Sequence, residues 1–432
     1  MIAFASLFLG LMVGVRPVTV IAGDTVASVS IELDGRVLGQ LTNKPWTLEV
    51  DFGSEFEPHE LVARAFDARG EAVGLARQWI NLPRPPAEVH IVLERDGSGR
   101  AVAARFAWES ILGVRPLAVR VTFDGTPLVL SEKRAALPAY DPEVTHILTA
   151  VLDYPNGVRS RTDLVLGGAS VGEAKSELTA VPILADGAAV PTVEVLRDRF
   201  RLKDQALSVA AVEHGPAEIV LVREPSSAEA HQAFRRGRPL GGALPILSDR
   251  TALDREDHVR ILWPVARRIV DAGTSNELFE SSREFTGKSA SFRFLLTQVD
   301  YPEAVAPPLR FADAVAVAGL RAFGSYARRA VVLVLGASSR DGSRYGAPPV
   351  RRYLERLHVP LYVWSLVTPP GQPPGASAWG QVEDISSSPA LERAVERLRR
   401  DLDRQSIVWI EGHHLPQEIA LLERADGMTL AR

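Results

Sequence analysis

A chain of 432 residues, 46% hydrophobic and 24% charged, is too long for a single core and too apolar for wholesale disorder. Its formal net charge of −4, with Arg and acidic residues interspersed, argues against nucleic acid as the main partner. The absence of cysteine excludes disulfides, thiolate metal sites, a cysteine nucleophile and a lipidated N-terminal Cys.

The chain opens on MIAFASLFLGLMVGV, an apolar run ended by Arg16-Pro17. It has the length of a secretory apolar segment and is short for a membrane span, though no Lys or Arg precedes it. Residues 1–14 are therefore set apart, as an export segment or as the first strands of a domain. No integral membrane span is expected, and an extracytoplasmic location is.

An internal repeat follows. VSIELDG at 29–35 returns as VRVTFDG at 119–125, and HELVARAFDARG at 59–70 returns as HILTAVLDYPNG at 146–157. Both copies alternate with period two and close on Asp-Gly or Asn-Gly, the signature of antiparallel hairpins. Units of this length built from short strands are β-sandwich sized. The pattern resembles bacterial immunoglobulin-like domains, and gives two of them, over 15–84 and 85–170. Asp34 and Asp124 are read as turn formers rather than calcium ligands. Trp46, Trp79 and Trp108 are expected in the sandwich cores.

Residues 171–216 are still β-rich. From Ala217 onward the pattern alternates between apolar strands and helices: AEIVLVR, HVRILW, a helical stretch over 310–326, RAVVLVL, VRRYLERL, LYVWSL, then the long amphipathic helix PALERAVERLRRDLDR leading into a strand at 407–411. Such alternation predicts a mostly parallel sheet with helices on both faces. Trp263, Trp364 and Trp409 are assigned to strand cores, and Trp379, in a loop, to an exposed contact. Arg235-Arg236-Gly237-Arg238 reads as a short, solvated basic loop.

The order helix, RRAVVLVLGASSRDGSR, short helix, VPLYVWSL resembles a von Willebrand factor A domain around its central strands. The lead-in VPILADGAAVPTVEVLRDRFRLKD and the tail LERAVERLRRDLDRQSIVWIEG are similar to VWFA-related Acidobacterial domain proteins. The resemblance covers about 171–424. It implies a doubly wound, Rossmann-like domain over 217–432, following two immunoglobulin-like β-sandwiches. It also implies a metal-ion-dependent adhesion site: D-x-S-x-S after the first strand, a Thr on a later loop, and an Asp after the central strand.

Here the first motif falls on Arg223-Glu224-Pro225-Ser226-Ser227, in which only Ser227 survives. PPLRFA at 307–312 holds no Thr, and Gly336 stands where the central Asp should be. Divalent cations of this kind need hard oxygen ligands, and a fixed guanidinium repels them. No metal and no cofactor are therefore expected. What remains is a polar cluster at the C-terminal strand ends, where α/β sheets place ligands: Arg223, Glu224, Ser226, Ser227, Ser338, Ser339 and Asp341. Arg223 is expected either to pair with Glu224 or Asp341 or to capture a partner's carboxylate.

Gly336-Ala337-Ser338 partly matches a nucleophile elbow, but Arg340 replaces its second Gly. His413-His414 could supply a base, and Asp341 or Glu411 an orienting carboxylate. The expected function is non-enzymatic protein–protein interaction or adhesion, with a protein partner. The alternative is a structural subunit of a larger cell-envelope assembly, and the third reading a serine hydrolase at Ser338.

Overall fold

The computed structural model describes the chain apart from residues 1, 7, 9–10, 24–25, 84–86, 97–99, 111–114, 145, 155–158, 167–177, 187–189, 236–249, 272–273, 306–307, 338–339, 368–375 and 423–426. It divides into two units, Arg84–Glu177 and the combination of Met1–Pro83 with Leu178–Arg432.

The smaller unit is a two-sheet antiparallel sandwich of immunoglobulin-like build. Ala87–Arg95, Ala101–Ser110 and Arg134–Ala136 form one sheet; Thr126–Pro127, Ala118–Phe123, His146–Asp153 and Arg159–Leu166 form the other. Strand alternation sends Val89, Ile91, Phe106, Val121, Phe123, Leu148 and Leu152 into the shared core. Trp108 packs at the margin of that core, with Lys133 Nζ 4.2 Å above its ring.

A second sandwich opens the larger unit. Its sheets are Ile2–Phe4, Val15–Ala22 and Trp46–Asp51, and Arg36–Leu41, Ser28–Leu33, His59–Phe66 and Ala72–Ile80. Ile2–Phe4 pairs with Val20–Ala22, and Phe8 and Met12 pack on the core. Of the two readings of the apolar run, the structure shows the strand: the run supplies an edge strand and core side chains to this sandwich.

The repeat has one structural meaning in both sandwiches. Asp34 (φ 52°) and Gly35 (φ 75°), like Asp124 (φ 49°) and Gly125 (φ 77°), take the two left-handed positions of a tight hairpin turn. Each aspartate then clasps the start of a neighbouring strand. Asp34 lies 2.7 Å from His59 Nδ1 and accepts the Glu60 N–H at 2.8 Å. Asp124 lies 2.6 Å from His146 Nδ1 and accepts the Ile147 N–H at 2.8 Å.

The rest of the larger unit is an α/β layer and a small β module. The α/β sheet runs in the order Thr274–Ser281, His258–Asp271, Ala217–Arg223, Arg328–Leu335, Leu361–Ser365, Glu383–Asp384. All are parallel except the edge strand Thr274–Ser281. Helices Phe311–Gly324 and Ala347–Arg356 pack with one core, while Ala228–Arg235, Phe292–Thr297 and Ser388–Asp403 pack with the other. Covered on both faces, Arg328–Leu335 is buried at every residue, which explains its unbroken apolar run.

The strand at the chain's end does not join this sheet. Gln405–Glu411 pairs antiparallel with Leu178–Leu184 and Val209–Glu213. With Phe200–Leu202, Gln205–Leu207, Ile419–Leu421 and Thr429–Leu430 they enclose a separate core of Val181, Ile183, Phe200, Val408 and Ile410. The expected α/β domain over 217–432 is thus corrected, since its last strand and Trp409 belong with the lead-in residues.

The first sandwich is seated on the α/β layer. Phe56, 1% exposed, packs edge-on against Tyr345 (4.4 Å) and lies 5.7 Å from Tyr353. The buried Tyr353 Oη donates to Asn81 O at 2.8 Å, and Glu55 pairs with Arg352 and Arg356. Trp79 stacks on His413 at 4.0 Å. It therefore faces outward from its sandwich, in contrast to the expected core position.

Two outcomes test this packing. Phe56→Ala leaves a cavity between Tyr345 and Tyr353 and should cost about 3–5 kcal/mol, read as a lowered thermal midpoint of the larger unit. In the smaller unit, the hydrogen bond to Asp124 raises the His146 pKa above 6.5 and lowers that of Asp124 below 3.8. The histidine's contribution is complete below 6.5 and fades as pH rises through its raised value. The aspartate's is complete above 3.8 and fades as pH falls through its lowered value. Stability of this unit should therefore decline from weakly acidic to alkaline pH, and His146→Gln should flatten that decline in urea titrations.

Candidate functional site

The loops after Ala217–Arg223 and Arg328–Leu335 leave their strands side by side, at the point where the chain order across the sheet reverses. Open α/β sheets hold ligands at such a point. Arg223 ends the first of these strands, yet its side chain is turned inward and the residue is only 3% exposed. Its guanidinium lies 4.8 Å above the Trp263 ring, donates to the Glu224 carbonyl at 2.8 Å and stands 4.0 Å from Asp300. Burial pulls its pKa down to about 10, with Asp300 and then Glu224 pulling the other way; at neutral pH it remains charged. The expectation that Arg223 offers itself to a partner is corrected, because indole and backbone already enclose it.

The neighbouring groups are also in use. Asp300 accepts the Ser227 N–H at 2.6 Å, and the buried Ser227 gives its carbonyl to His231 N at 2.9 Å, at the start of helix Ala228–Arg235. Ser226 Oγ accepts the Ala228 N–H at 3.1 Å. Glu229, in the first turn of that helix, reaches across to accept the Ala337 N–H at 2.8 Å. A Cβ on Gly336 would overlap the Glu229 carboxylate and come within 2.9 Å of Glu224 Oε2. A side chain here would have to push these two carboxylates aside, Glu229 giving up its Ala337 N–H. The crevice lined by Arg223, Glu224, Ser226 and Gly336 encloses about 10 Å³, room for one water at most.

Asp341 does not meet Arg223. It accepts the N–H groups of Phe311 (3.0 Å), Ala312 (3.2 Å) and Ser343 (2.9 Å), capping helix Phe311–Gly324 from outside. The buried Asp313 answers from inside that helix. It accepts Arg344 N at 3.0 Å and Tyr345 N at 3.2 Å and pairs with Arg310. These reciprocal carboxylates fix the 341–346 loop. Beside it lies a cavity of about 310 Å³ lined by Phe311, Leu335, Arg344, Tyr345, Ala378 and Trp379. Trp379, expected as an exposed contact, is 4% exposed and forms part of this wall.

Ser338 and Ser339 lie outside the described residues, as do Arg236, Gly237 and Arg238. The histidines considered as a base make the following contacts. His413 stacks on Trp79, and His414 Nε2 donates to Glu411 O at 2.9 Å. Trp263 was expected in a strand core and is 2% exposed; Asp300, Glu229 and Asp313 were not singled out from sequence. For Glu229 a signal existed, since an acid in a first helical turn favours nearby N–H groups; the others depend on contacts far apart in the chain.

No protein-family model and no curated protein sequence matches the chain. Among solved structures it is similar to the fibronectin(III)-like modules of Clostridium thermocellum CbhA, with 21% identity over 18% of this chain and 93% of that one, TM-score 0.17. It is also similar to the central fibronectin-III array of RIM-binding protein (10% identity, 43% and 77% covered, TM-score 0.21). A β-glycosidase from Bacteroides vulgatus matches at 13% identity, with 38% and 24% covered and a TM-score of 0.19. Likenesses with TM-scores this low carry no argument about activity.

The packing around Gly336 gives a direct test. Gly336→Ala should destabilise the protein by about 1–3 kcal/mol. Adding Glu229→Ala should restore part of that loss, giving a coupling energy of about 0.5 kcal/mol or more. Strictly additive urea midpoints across the four proteins would contradict the overlap.

Proposed function

We propose that the chain is a non-enzymatic, extracytoplasmic interaction protein whose α/β layer is a metal-independent von Willebrand factor A-type domain. Numbering the six sheet strands along the chain, the layer has the order 3-2-1-4-5-6 of doubly wound sheets, with strand 3 antiparallel. The observation that carries the metal-independent reading is Arg223, a buried guanidinium at the place of a ligand aspartate, packed on Trp263. The donor set does not suit a hard divalent cation: Pro225 and Gly336 bring no oxygen side chain, and Asp341 is engaged by three backbone N–H groups. Partner binding in this reading uses the C-terminal sheet edge but not the Arg223 side chain.

Among the described residues no helix is long and apolar enough to cross a membrane. A structural-subunit reading is favoured by one feature, the sheet-edge strand Arg36–Leu41, on which Val37 and Leu38 are exposed. Such an edge suits strand addition by a neighbour.

Divalent ions provide the test. A cation bound at 100 times its dissociation constant would stabilise the fold by about 2.7 kcal/mol. Thermal midpoints measured with Mg²⁺, Mn²⁺ or Ca²⁺, and again with EDTA, should coincide. A rise of several degrees reversed by EDTA would sink the metal-independent reading.

A further inference from the structure

The cavity beside Trp379 lies at the same sheet edge, and reading it as a docking site rests on the proposed function only in taking that edge as the binding edge. Its apolar wall is Phe311, Leu335 and Trp379, each buried. Its volume of about 310 Å³ is at the small end for ligand sites and fits one large side chain with its flanking backbone. Tyr345 forms another part of the wall and is held from behind by Phe56, ring centroids 4.4 Å apart. A recess fixed in this way loses little entropy when filled.

The rim carries one guanidinium. Arg344 lines the cavity and is exposed, and among the described residues its guanidinium meets no carboxylate. It lies 5.5 Å from the Tyr345 ring centroid. Of the nearby acids, Asp341 also lines the cavity but has its oxygens turned to the N–H groups of Phe311, Ala312 and Ser343, and Asp313 is paired with Arg310. An apolar recess beside an unpaired guanidinium is complementary to an aromatic side chain beside a carboxylate. A polyanion would satisfy the arginine but leave the recess empty.

We propose that this cavity docks a short acidic peptide segment of a protein partner. One aromatic side chain sits against Trp379, and an adjacent Asp or Glu carboxylate is held by Arg344, whose planar fork can take it bidentately. Buried aromatic anchors beside charge-assisted contacts are the usual source of affinity in such interfaces.

The experiment uses the full chain and three defined peptides, acetyl-Phe-Asp-amide, acetyl-Phe-Asn-amide and acetyl-Ala-Asp-amide, followed by saturation-transfer NMR titration. The first should bind at least ~10-fold more tightly than the other two. Arg344→Gln should erase the difference between the Asp and Asn peptides without moving the thermal midpoint. Ala378→Phe, which fills the cavity from an exposed position, should abolish binding while the protein stays folded. Equal binding of the Asp and Asn peptides, binding of none of the three, or binding that survives Ala378→Phe overturns the proposal. Those outcomes leave metal independence standing, because that reading fails only if divalent cations stabilise the protein.

Discussion

Two consecutive arginines at the start of the central strand hold the α/β layer together. Successive strand residues point to opposite faces, so Arg328 and Arg329 serve different helices. On one face Arg329, wholly buried, donates to the carbonyls of Phe323, Leu357 and His358, closing the C-terminal ends of two helices. On the other, Arg328 donates to Leu402 O at 2.7 Å and to Gly215 O, and pairs with Asp257. Each of those carbonyls would cost about 1–3 kcal/mol if buried without a donor. Arg329 meets no carboxylate among the described residues, and burial pulls its pKa down to about 9. The cation is held by helix-end dipoles instead of a counter-ion. Its own main chain is bonded to the Gln405 side chain, which brings the small β module to the same point.

With the base of the sheet anchored in this way, the opposite edge is where loops can differ, and there most polar groups meet one another, although Nε and Nη2 of Arg223 make no hydrogen bond among the described residues. Arg223 is taken by an indole and a carbonyl, Asp300 by Ser227, Glu229 by Ala337, and Asp341 by a helix start. The crevice at this edge encloses about 10 Å³. A buried guanidinium carries a considerable desolvation cost. Trp263, with the Glu224 carbonyl and the field of Asp300, makes that charge tolerable. Beside it, the Glu229 carboxylate occupies the space that a Cβ on residue 336 would take.

Much of this was legible in the sequence where local chemistry decides. Asp-Gly turns, period-two alternation and the unbroken RAVVLVL run each have one cheap structural solution, and they marked hairpins and a doubly covered strand. The pairing of Asp34 with His59 was present as a repeat, but its meaning needed the register between strands. Gln405–Glu411 misled because an apolar strand after an amphipathic helix reads the same whichever sheet receives it; only the long-range partner Leu178–Leu184 settles it. Arg223 misled for a related reason. A charged residue at a strand end is read as exposed, and nothing local announces that Trp263, forty residues away, will cover it. Trp379 shows the converse, as a loop tryptophan that folds back to line a cavity.

The seating of the first sandwich connects these parts. Phe56 reaches the α/β layer at Tyr345 and Tyr353, and Tyr345 also lines the 310 Å³ cavity. Its backbone N–H is fixed by Asp313, which in turn sits in the helix whose C-terminal end Arg329 closes. One tyrosine thus joins the sandwich, the loop after the central strand and the cavity wall. Glu55 and Glu57 add ion pairs to Arg352 and Arg356 on the helix that follows that loop, but these are partly exposed and contribute little by themselves. The buried contacts are what orient the two parts. An immunoglobulin-like module fixed in this manner is a buttress more than a spacer: it sets the shape of the sheet edge from below, and a change at Phe56 would reach the cavity through a single ring.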